Sequence, residues 1–148
     1  MANTSGNLLK MNLQTIDNKV RWSAGARGQP EIVIDYPPPI GSGDGYTSLE
    51  VFLASFGSCV GSVLLTLLRH RMKKSVGGIS AEATGTVREE HPKAFQHILL
   101  SLTISAADLT EAEVRQMLKV AEDTMCPVWA MIKGNVAVDV EVNIRSVL

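Results

Sequence analysis

The sequence has few of the residues that mark a metal centre, a disulfide framework or a nucleic-acid surface. Among its 148 residues are three histidines and two cysteines, and the formal net charge is −1. His70, His91 and His97 lack ligand spacing with the cysteines, so we expect neither a metal site nor a bound cofactor. Because lysine and arginine are dispersed, we also expect no nucleic-acid partner.

The first seven residues do not have the pattern of a signal peptide. Met1 to Asn7 carries no charge and no apolar core, so we expect no signal peptide and a cytoplasmic protein. In that compartment two cysteines are more often reactive or buried thiols than a structural disulfide. The length predicts one domain, residues 1–148, with a proper hydrophobic core.

One long segment, Thr47 to Lys74, organises the rest of the chain. It carries no charge from Val51 to Leu68. Thr47 followed three residues later by Glu50 is a capping-box pattern, which predicts that a helix begins there. Gly77-Gly78 predicts where it ends. We therefore expect one central helix of about seven turns.

The same uncharged run is long enough to be considered as a membrane span. Six of its eighteen residues are serine, threonine or glycine, and the flanking segments alternate as in a water-soluble domain. We therefore favour a buried soluble helix and expect no membrane partner. Gly57 and Gly61 would let other backbone, or a second copy of this helix, approach closely.

The segments around this helix predict strands and two further helices. Strands are expected at residues 8–15, 19–24, 31–36, 79–88, 98–105 and 136–144, a helix from Glu111, and a short helix after Cys126-Pro127. Thr110 and Glu113 form a second capping-box pattern before the Glu111 helix. This order of elements predicts an α+β domain.

Cys59 and Cys126 are the first candidates for chemistry. Free cysteine often only fills space in a protein core. Two structural thiols and a redox pair are therefore equally good interpretations of Cys59 and Cys126 at this point. Pro127 suits the first position of a helix, which makes Cys126 its N-cap. There the helix dipole would stabilise a thiolate and lower the thiol pKa. Cys59 lies mid-helix, so its activation would need a cation from elsewhere.

The sequence resembles the OsmC/Ohr family, the osmotically inducible protein C and organic hydroperoxide resistance proteins. The resemblance is carried by Ile34-Asp-Tyr-Pro-Pro-Pro-Ile-Gly, by Ser48-Leu-Glu-Val-Phe-Leu-Ala-Ser-Phe-Gly-Ser-Cys59 and by Cys126-Pro127. These forms look more like the broad OsmC-like branch than the hydroperoxide branch proper. The resemblance implies an α+β fold with a long buried central helix and antiparallel sheets, in an intertwined homodimer with two sites at the interface.

The resemblance also implies thiol peroxidase chemistry. Cys59 would match the thiolate that attacks an organic hydroperoxide and becomes sulfenic acid. Cys126 would match the resolving thiol, and an external dithiol would reduce the resulting disulfide. Arg27 falls where the family places an arginine that steadies the thiolate. The alternative for Arg27 is a solvated loop charge.

Glu50 departs from the pattern of the hydroperoxide branch, in which a glutamate ten residues before the cysteine orients the arginine. Here the glutamate is nine residues before Cys59, and Leu49 holds the tenth place. Nine steps put Glu50 on the opposite side of its helix and roughly 13 Å along the axis. Glu50 is thus a candidate catalytic residue for which we favour the capping role.

Three aromatic residues complete the candidate site. Phe52 and Phe56 lie on the Cys59 face of the helix, and Trp129 follows Cys126, so the three could form an apolar wall for an organic peroxide. Core packing is the alternative for each. The sequence thus predicts a thiol-dependent hydroperoxide reductase. The alternative is a non-catalytic small-molecule binding protein on the same scaffold, in which Cys59 is neither ionised nor solvent-accessible.

Overall fold

The structure, a computed structural model, describes residues 4–147 and contains two three-stranded sheets. After a 3-10 helix at Thr4–Asn7, the elements are β1 Asn12–Thr15, β2 Trp22–Gly25, β3 Ile32–Ile34, α1 Ser48–Thr66, β4 Val76–Val87, β5 Phe95–Ala106, α2 Glu111–Val120, α3 Pro127–Ile132 and β6 Ala137–Arg145. Two π-helical segments, Leu67–Arg71 and Ala121–Met125, extend α1 and α2. The predicted α+β class is confirmed.

The chain divides into two compact units, the first ending at Phe52 and the second beginning at Leu53. The expectation of a single domain over residues 1–148 therefore stays a prediction. The amino-terminal segment in which we expect no signal peptide, Met1 to Asn7, lies partly outside the described residues. Each unit contains one of the two sheets.

The sheet of the first unit is an antiparallel meander in the order β1-β2-β3. Leu13 pairs with Ala24, and Ser23 pairs with Val33. All three strands are shorter than the alternating segments that predicted them, because the ladder extends only where neighbouring strands pair. A parallel bridge between Ile34 and Tyr46 closes the loop that follows β3.

The sheet of the second unit has the order β4-β5-β6, with β4 and β5 antiparallel and β5 and β6 parallel. The expectation of antiparallel sheets is therefore wrong for β6. The physical reason is the connection: α2 and α3 lie between β5 and β6, and a parallel pair needs such a crossover. The buried face of β5 carries Ile98, Leu100, Leu102 and Ile104, all at 0% exposure.

Helix α1 packs one face onto this sheet. A β-carbon built on Gly57 would lie 3.7 Å from the Leu100 Cδ1 atom and 4.0 Å from the Ala83 Cβ atom. The buried residues of the helix are Phe56, Gly57, Val60, Gly61 and Leu64. The opposite face, Ala54, Ser55, Ser58 and Ser62, is exposed. The helix is therefore buried on one face only within a single chain.

The predicted end of the central helix is wrong. The π-helical segment ends at Arg71, and Lys73 takes a left-handed conformation with φ 57°. The N–H of Lys74 donates to the carbonyl of Leu68 at 2.9 Å, and Gly77-Gly78 lie inside β4. The cause is local: a left-handed residue after the last turn ends the helix, whether or not it is glycine.

The length and composition of this helix also fit a membrane span. Ser48–Arg71 contains an 18-residue window of mean hydropathy 2.1, and 33% of that window is buried inside the protein. Core helices of soluble proteins meet the same criterion. Gly57 packs against the sheet, and the expected burial of the whole helix stays a prediction.

Candidate active site

The two cysteines lie in direct contact. The Sγ atoms of Cys126 and Cys59 are 3.1 Å apart, and both thiols are free. Cys59 is half-buried on α1, whereas Cys126 is only 2% exposed. A disulfide needs an S–S distance of about 2.05 Å, so a small movement would bring the two sulfur atoms within bonding distance.

The end of the α2 segment places Cys126 at this point. After the π-helical turn, the N–H of Cys126 donates to the carbonyl of Ala121 at 2.8 Å. Cys126 then adopts an extended conformation as the N-cap of α3, with Pro127 in the first turn. This N-cap position was predicted from the Cys-Pro pair and is confirmed. The Cys126 side chain makes no capping bond, and its sulfur instead contacts Cys59.

The prediction that the helix dipole lowers the pKa of Cys126 is wrong. Burial, and after it the hydrogen bond to Cys59, raise the pKa of the Cys126 thiol to about 11. The N–H groups of Trp129 and Val128 at the start of α3 oppose this rise without overcoming it. A helix of six residues offers few aligned peptide dipoles. Cys126 therefore keeps its proton at neutral pH.

An aromatic pair lies one turn away from the thiol pair. Phe56 precedes Cys59 by three residues, and Trp129 follows Cys126 by three. Their ring centroids are 5.7 Å apart and their planes meet at 78°. Phe56 is 0% and Trp129 6% exposed, so both rings pack against each other in the core. Phe52 belongs to the first unit and is half-buried. The substrate-wall role of these residues stays a prediction.

Arg27 lies in the tight turn between β2 and β3. The N–H of Gln29 donates to the carbonyl of Ala26 at 3.0 Å, and both central residues are left-handed, Arg27 with φ 56° and Gly28 with φ 71°. This is the geometry that suits a two-residue hairpin. The arginine side chain is exposed, and its predicted role at the thiolate stays a prediction.

Glu50 forms the capping box that the sequence predicted. Its carboxylate accepts the N–H of Thr47 at 2.8 Å, and its own N–H donates to the Thr47 hydroxyl at 3.2 Å. The bond from the Thr47 N–H lowers the pKa of Glu50. The second capping box, between Thr110 and Glu113, is also present. The carboxylate of Glu50 thus has a structural partner, and its catalytic role stays a prediction.

A buried carboxylate that sequence reasoning missed organises the loop before α1. Asp35 is 0% exposed, and its side chain accepts the N–H groups of Tyr36, Ser42 and Asp44 at 2.8 to 3.2 Å. A β-carbon on Gly41 would collide with this carboxylate. The signal in the sequence was an acidic residue at the end of an apolar strand, followed by a glycine-rich loop whose N–H groups can converge.

Arg21 supplies the positive charge beside Asp35. Its Nε atom is 3.6 Å from the Asp35 carboxylate and 3.8 Å from that of Asp17, and its Nη2 atom bonds to Asp44. Burial raises the pKa of Asp35, but the three N–H bonds and Arg21 outweigh it, so the net direction is downward. The Arg21–Asp35 pair thus fixes the path of the chain from β3 towards α1.

A groove lies between α2, α3 and β6 in the second unit. It has a volume of about 280 Å³ and is lined by Arg115, Leu118, Lys119, Glu122, Trp129, Val138, Asp139 and Val140. Within residues 4–147, no three histidine, cysteine or acidic side chains are placed to hold a metal ion. The groove therefore offers an amphipathic surface, with Trp129 at the wall shared with the aromatic pair.

Comparison with known proteins identifies the fold. Residues 41–141 match the family of OsmC-like proteins. No curated protein matches the sequence. A hypothetical protein from Aquifex aeolicus has a similar structure, with a TM-score of 0.81, 21% identity, and coverage of 95% of this chain and 98% of that chain.

Two further solved structures carry informative names. An OsmC-like protein from Mycoplasma pneumoniae superposes with a TM-score of 0.74 at 16% identity, covering 97% of this chain and 99% of its own. An organic hydroperoxide resistance protein from Elizabethkingia anophelis superposes with a TM-score of 0.68 at 20% identity, covering 95% and 99%. At these identities the structures establish the fold, and the family match covers most of the chain. This protein is a member of the OsmC-like family.

Proposed function

We propose that this protein is a thiol-dependent peroxidase that reduces organic hydroperoxides through Cys59 and Cys126. The observation that carries the proposal is the 3.1 Å contact between two free thiols, which are 67 residues apart in the sequence. Cys59 is partly accessible, as an attacking thiol must be. The name of the Elizabethkingia anophelis structure, an organic hydroperoxide resistance protein, supports the same class of substrate.

The proposed reaction has three steps. The Cys59 thiolate attacks the terminal oxygen of ROOH, the O–O bond breaks, and the departing alkoxide takes a proton from water, which gives ROH and Cys59 sulfenic acid. Cys126 then attacks the Cys59 sulfur: the S–O bond breaks, the Cys126 proton passes to the departing hydroxide, and the disulfide and water are formed. An external dithiol reduces this disulfide by two exchanges and is itself oxidised. Arg27 keeps the role that the resemblance assigns to it, the cation that steadies the thiolate.

The proposed state in solution is a cytoplasmic homodimer. Its support is surface that one chain leaves uncovered, namely the small-residue face of α1 in the second unit and apolar side chains in the first. Leu9 is 96%, Tyr46 67% and Ile40 64% exposed. Contact with a second copy of the chain would cover these apolar side chains.

Peroxide consumption by the purified protein with dihydrolipoamide tests the activity. We expect turnover of an alkyl hydroperoxide to exceed that of hydrogen peroxide, since burying alkyl surface gains about 0.8 kcal/mol per CH₂. Cys59→Ser is expected to abolish turnover. Cys126→Ser is expected to retain one oxidation of Cys59 but to lose disulfide-dependent turnover. Failure of the wild-type protein to consume either peroxide would contradict the proposal.

A second candidate function, the binding of a small molecule without catalysis, rests on the groove beside Trp129. Its charged side chains are paired, Arg115 with Glu111 at 3.2 Å and Lys119 with Asp123 at 3.1 Å. A ligand would therefore displace existing bonds, which lowers the affinity available to it. This function would be supported if both thiols reacted slowly with iodoacetamide at neutral pH while a ligand changed Trp129 fluorescence.

A further inference from the structure

We propose that Cys126 acts before it becomes the resolving thiol: in the reduced protein its S–H group donates a hydrogen bond that holds Cys59 as a thiolate. This inference rests on the proposed function only in taking Cys59 as the nucleophile. It makes Cys126 a positioning and ionising residue for the first step, as well as a reactant in the second.

The difference in burial between the two sulfur atoms favours one direction for the bond. The two sulfur atoms are 3.1 Å apart, with Cys126 as donor and Cys59 as acceptor. Cys126 is 2% exposed and Cys59 is half-buried. Because water stabilises an ion more than the protein interior does, the negative charge belongs on the more exposed sulfur. A thiol is a weak donor to a neutral partner, but its bond to an ionised acceptor is stronger.

The surroundings of Cys126 keep its proton in place. Burial is the largest cause that raises the pKa of this thiol, and the hydrogen bond to Cys59 and the charge on Cys59 raise it further. Two thiols that interact in this way titrate as a pair, one losing its proton well before the other. The buried member therefore remains a donor over the pH range in which the exposed member is ionised.

In the described segments that carry the two cysteines, residues 51–68 and 121–132, every charged side chain is paired with another charge. Helix α1 carries no charged side chain from Val51 to Leu68, and the buried face of β5 is apolar. On the segment before Cys126, Asp123 bonds to Lys119 at 3.1 Å and to Lys133 at 2.9 Å. Glu122 lies 3.7 Å from Lys133. These charges pair with one another.

Oxidation of Cys59 would then release Cys126 for its second role. When Cys59 becomes a neutral sulfenic acid, the negative charge that Cys126 stabilised is gone. The pKa of Cys126 loses the part of its rise that comes from Cys59, and the thiol ionises more readily. Its thiolate attacks the Cys59 sulfur, the S–O bond breaks, and hydroxide leaves. The resolving thiolate is thus favoured only after the peroxide has been reduced.

Two variants separate the donor role from the resolving role. Cys126→Ser cannot form the disulfide but keeps an O–H donor, whereas Cys126→Ala keeps neither. The ionisation of Cys59 is followed by thiolate absorbance near 240 nm and by the rate of iodoacetamide alkylation across pH. We expect the midpoint in Cys126→Ala to lie about one pH unit above that in Cys126→Ser. Alkylation of Cys126→Ala at pH 7 would then be up to about tenfold slower.

The outcomes distinguish this inference from the proposed function. Coincident midpoints in the two variants, with thermal unfolding showing both folded, would overturn the inference. If Cys126→Ala does not fold, peptide mapping of wild-type protein alkylated at neutral pH decides instead: labelling of Cys126 before Cys59 would overturn it. A separation of midpoints in a protein that consumes no peroxide would support the donor role and contradict the peroxidase.

Discussion

At the scale of single residues, the buried carboxylate of Asp35 is stabilised by groups that replace the water it has lost. Removing a carboxylate from water is costly unless hydrogen bonds and an opposite charge replace the lost solvent. Three backbone N–H groups and Arg21 provide that replacement. These N–H groups belong to the loop that leads to α1. The hydrogen bonds of one carboxylate therefore stabilise the conformation of the segment from Asp35 to Asp44.

We predict that Asp35→Asn lowers the stability of the protein at pH 7. An asparagine amide would turn a donor towards backbone N–H groups that need acceptors. The folded-state pKa of Asp35 is depressed, so its contribution is present above the unfolded value of about 3.9 and is lost as pH falls through the folded value. Urea unfolding at pH 7 and at pH 3 measures the difference between wild type and variant.

Asp108→Asn is the matched control, because the Asp108 side chain is 96% exposed and lies 3.7 Å from Lys74. Exposed pairs of this kind contribute little. The difference between wild type and Asp35→Asn is expected to shrink at pH 3. A difference of equal size at both pH values would show that the charge of Asp35 does not stabilise the fold.

At the scale of secondary-structure elements, features that depend on neighbouring residues could be predicted from the sequence. Features that depend on distant residues could not. The capping boxes at Thr47 and Thr110 and the N-cap at Cys126 were predicted, because each depends on residues within four positions of one another. The end of the α1 segment was not predicted, since Lys73 adopts a left-handed conformation that its residue type does not favour. Gly77 and Gly78 instead lie in β4, whose partner strand β5 follows later in the sequence.

The first turn of α1 allows the two roles of Glu50 to be separated. Glutamine can fill the third position of a capping box as glutamate does, so Glu50→Gln keeps the cap and removes the charge. We predict unchanged stability and peroxide turnover within about threefold of wild type, a range that corresponds to about 0.65 kcal/mol. Urea unfolding and the dihydrolipoamide-coupled assay measure the two quantities.

Thr47→Ala is the control for the cap itself. Loss of the threonine hydroxyl is expected to cost about 1 kcal/mol of stability, a value that Thr110→Ala at the second capping box should match. A large loss of turnover in a stable Glu50→Gln protein would contradict the capping role and would favour a catalytic carboxylate at this position.

At the scale of the whole molecule, the contacts on which the proposed function rests join distant parts of the chain. The parallel pairing of β5 with β6 and the approach of Cys126 to Cys59 have no local signature. The family resemblance implied that both cysteines belong to one site. The residue pattern alone did not distinguish a redox pair from two inert thiols. The raised pKa of Cys126 was missed for the same reason, since burial is a property of the assembled fold.

The proposed homodimer gives the uncovered face of α1 a partner. We predict that the wild-type protein sediments without detergent at about twice its 16.0 kDa mass. Ser62→Arg should shift it towards the monomer, because an arginine at this exposed position of α1 would be buried unpaired between subunits. Gln116→Arg on the exposed face of α2 is the control. A monomeric wild-type protein would contradict the dimer, and a need for detergent would favour the membrane alternative.

The central claim is that Cys59 and Cys126 form one redox pair, and mass spectrometry tests it most directly. Reduced protein is treated with one equivalent of an alkyl hydroperoxide, quenched with iodoacetamide, digested and mapped. The pair predicts a peptide cross-link between Cys59 and Cys126 within one chain, and trapping of Cys59 sulfenic acid in Cys126→Ser. Recovery of both cysteines as alkylated thiols, with the peroxide unconsumed, would contradict the claim.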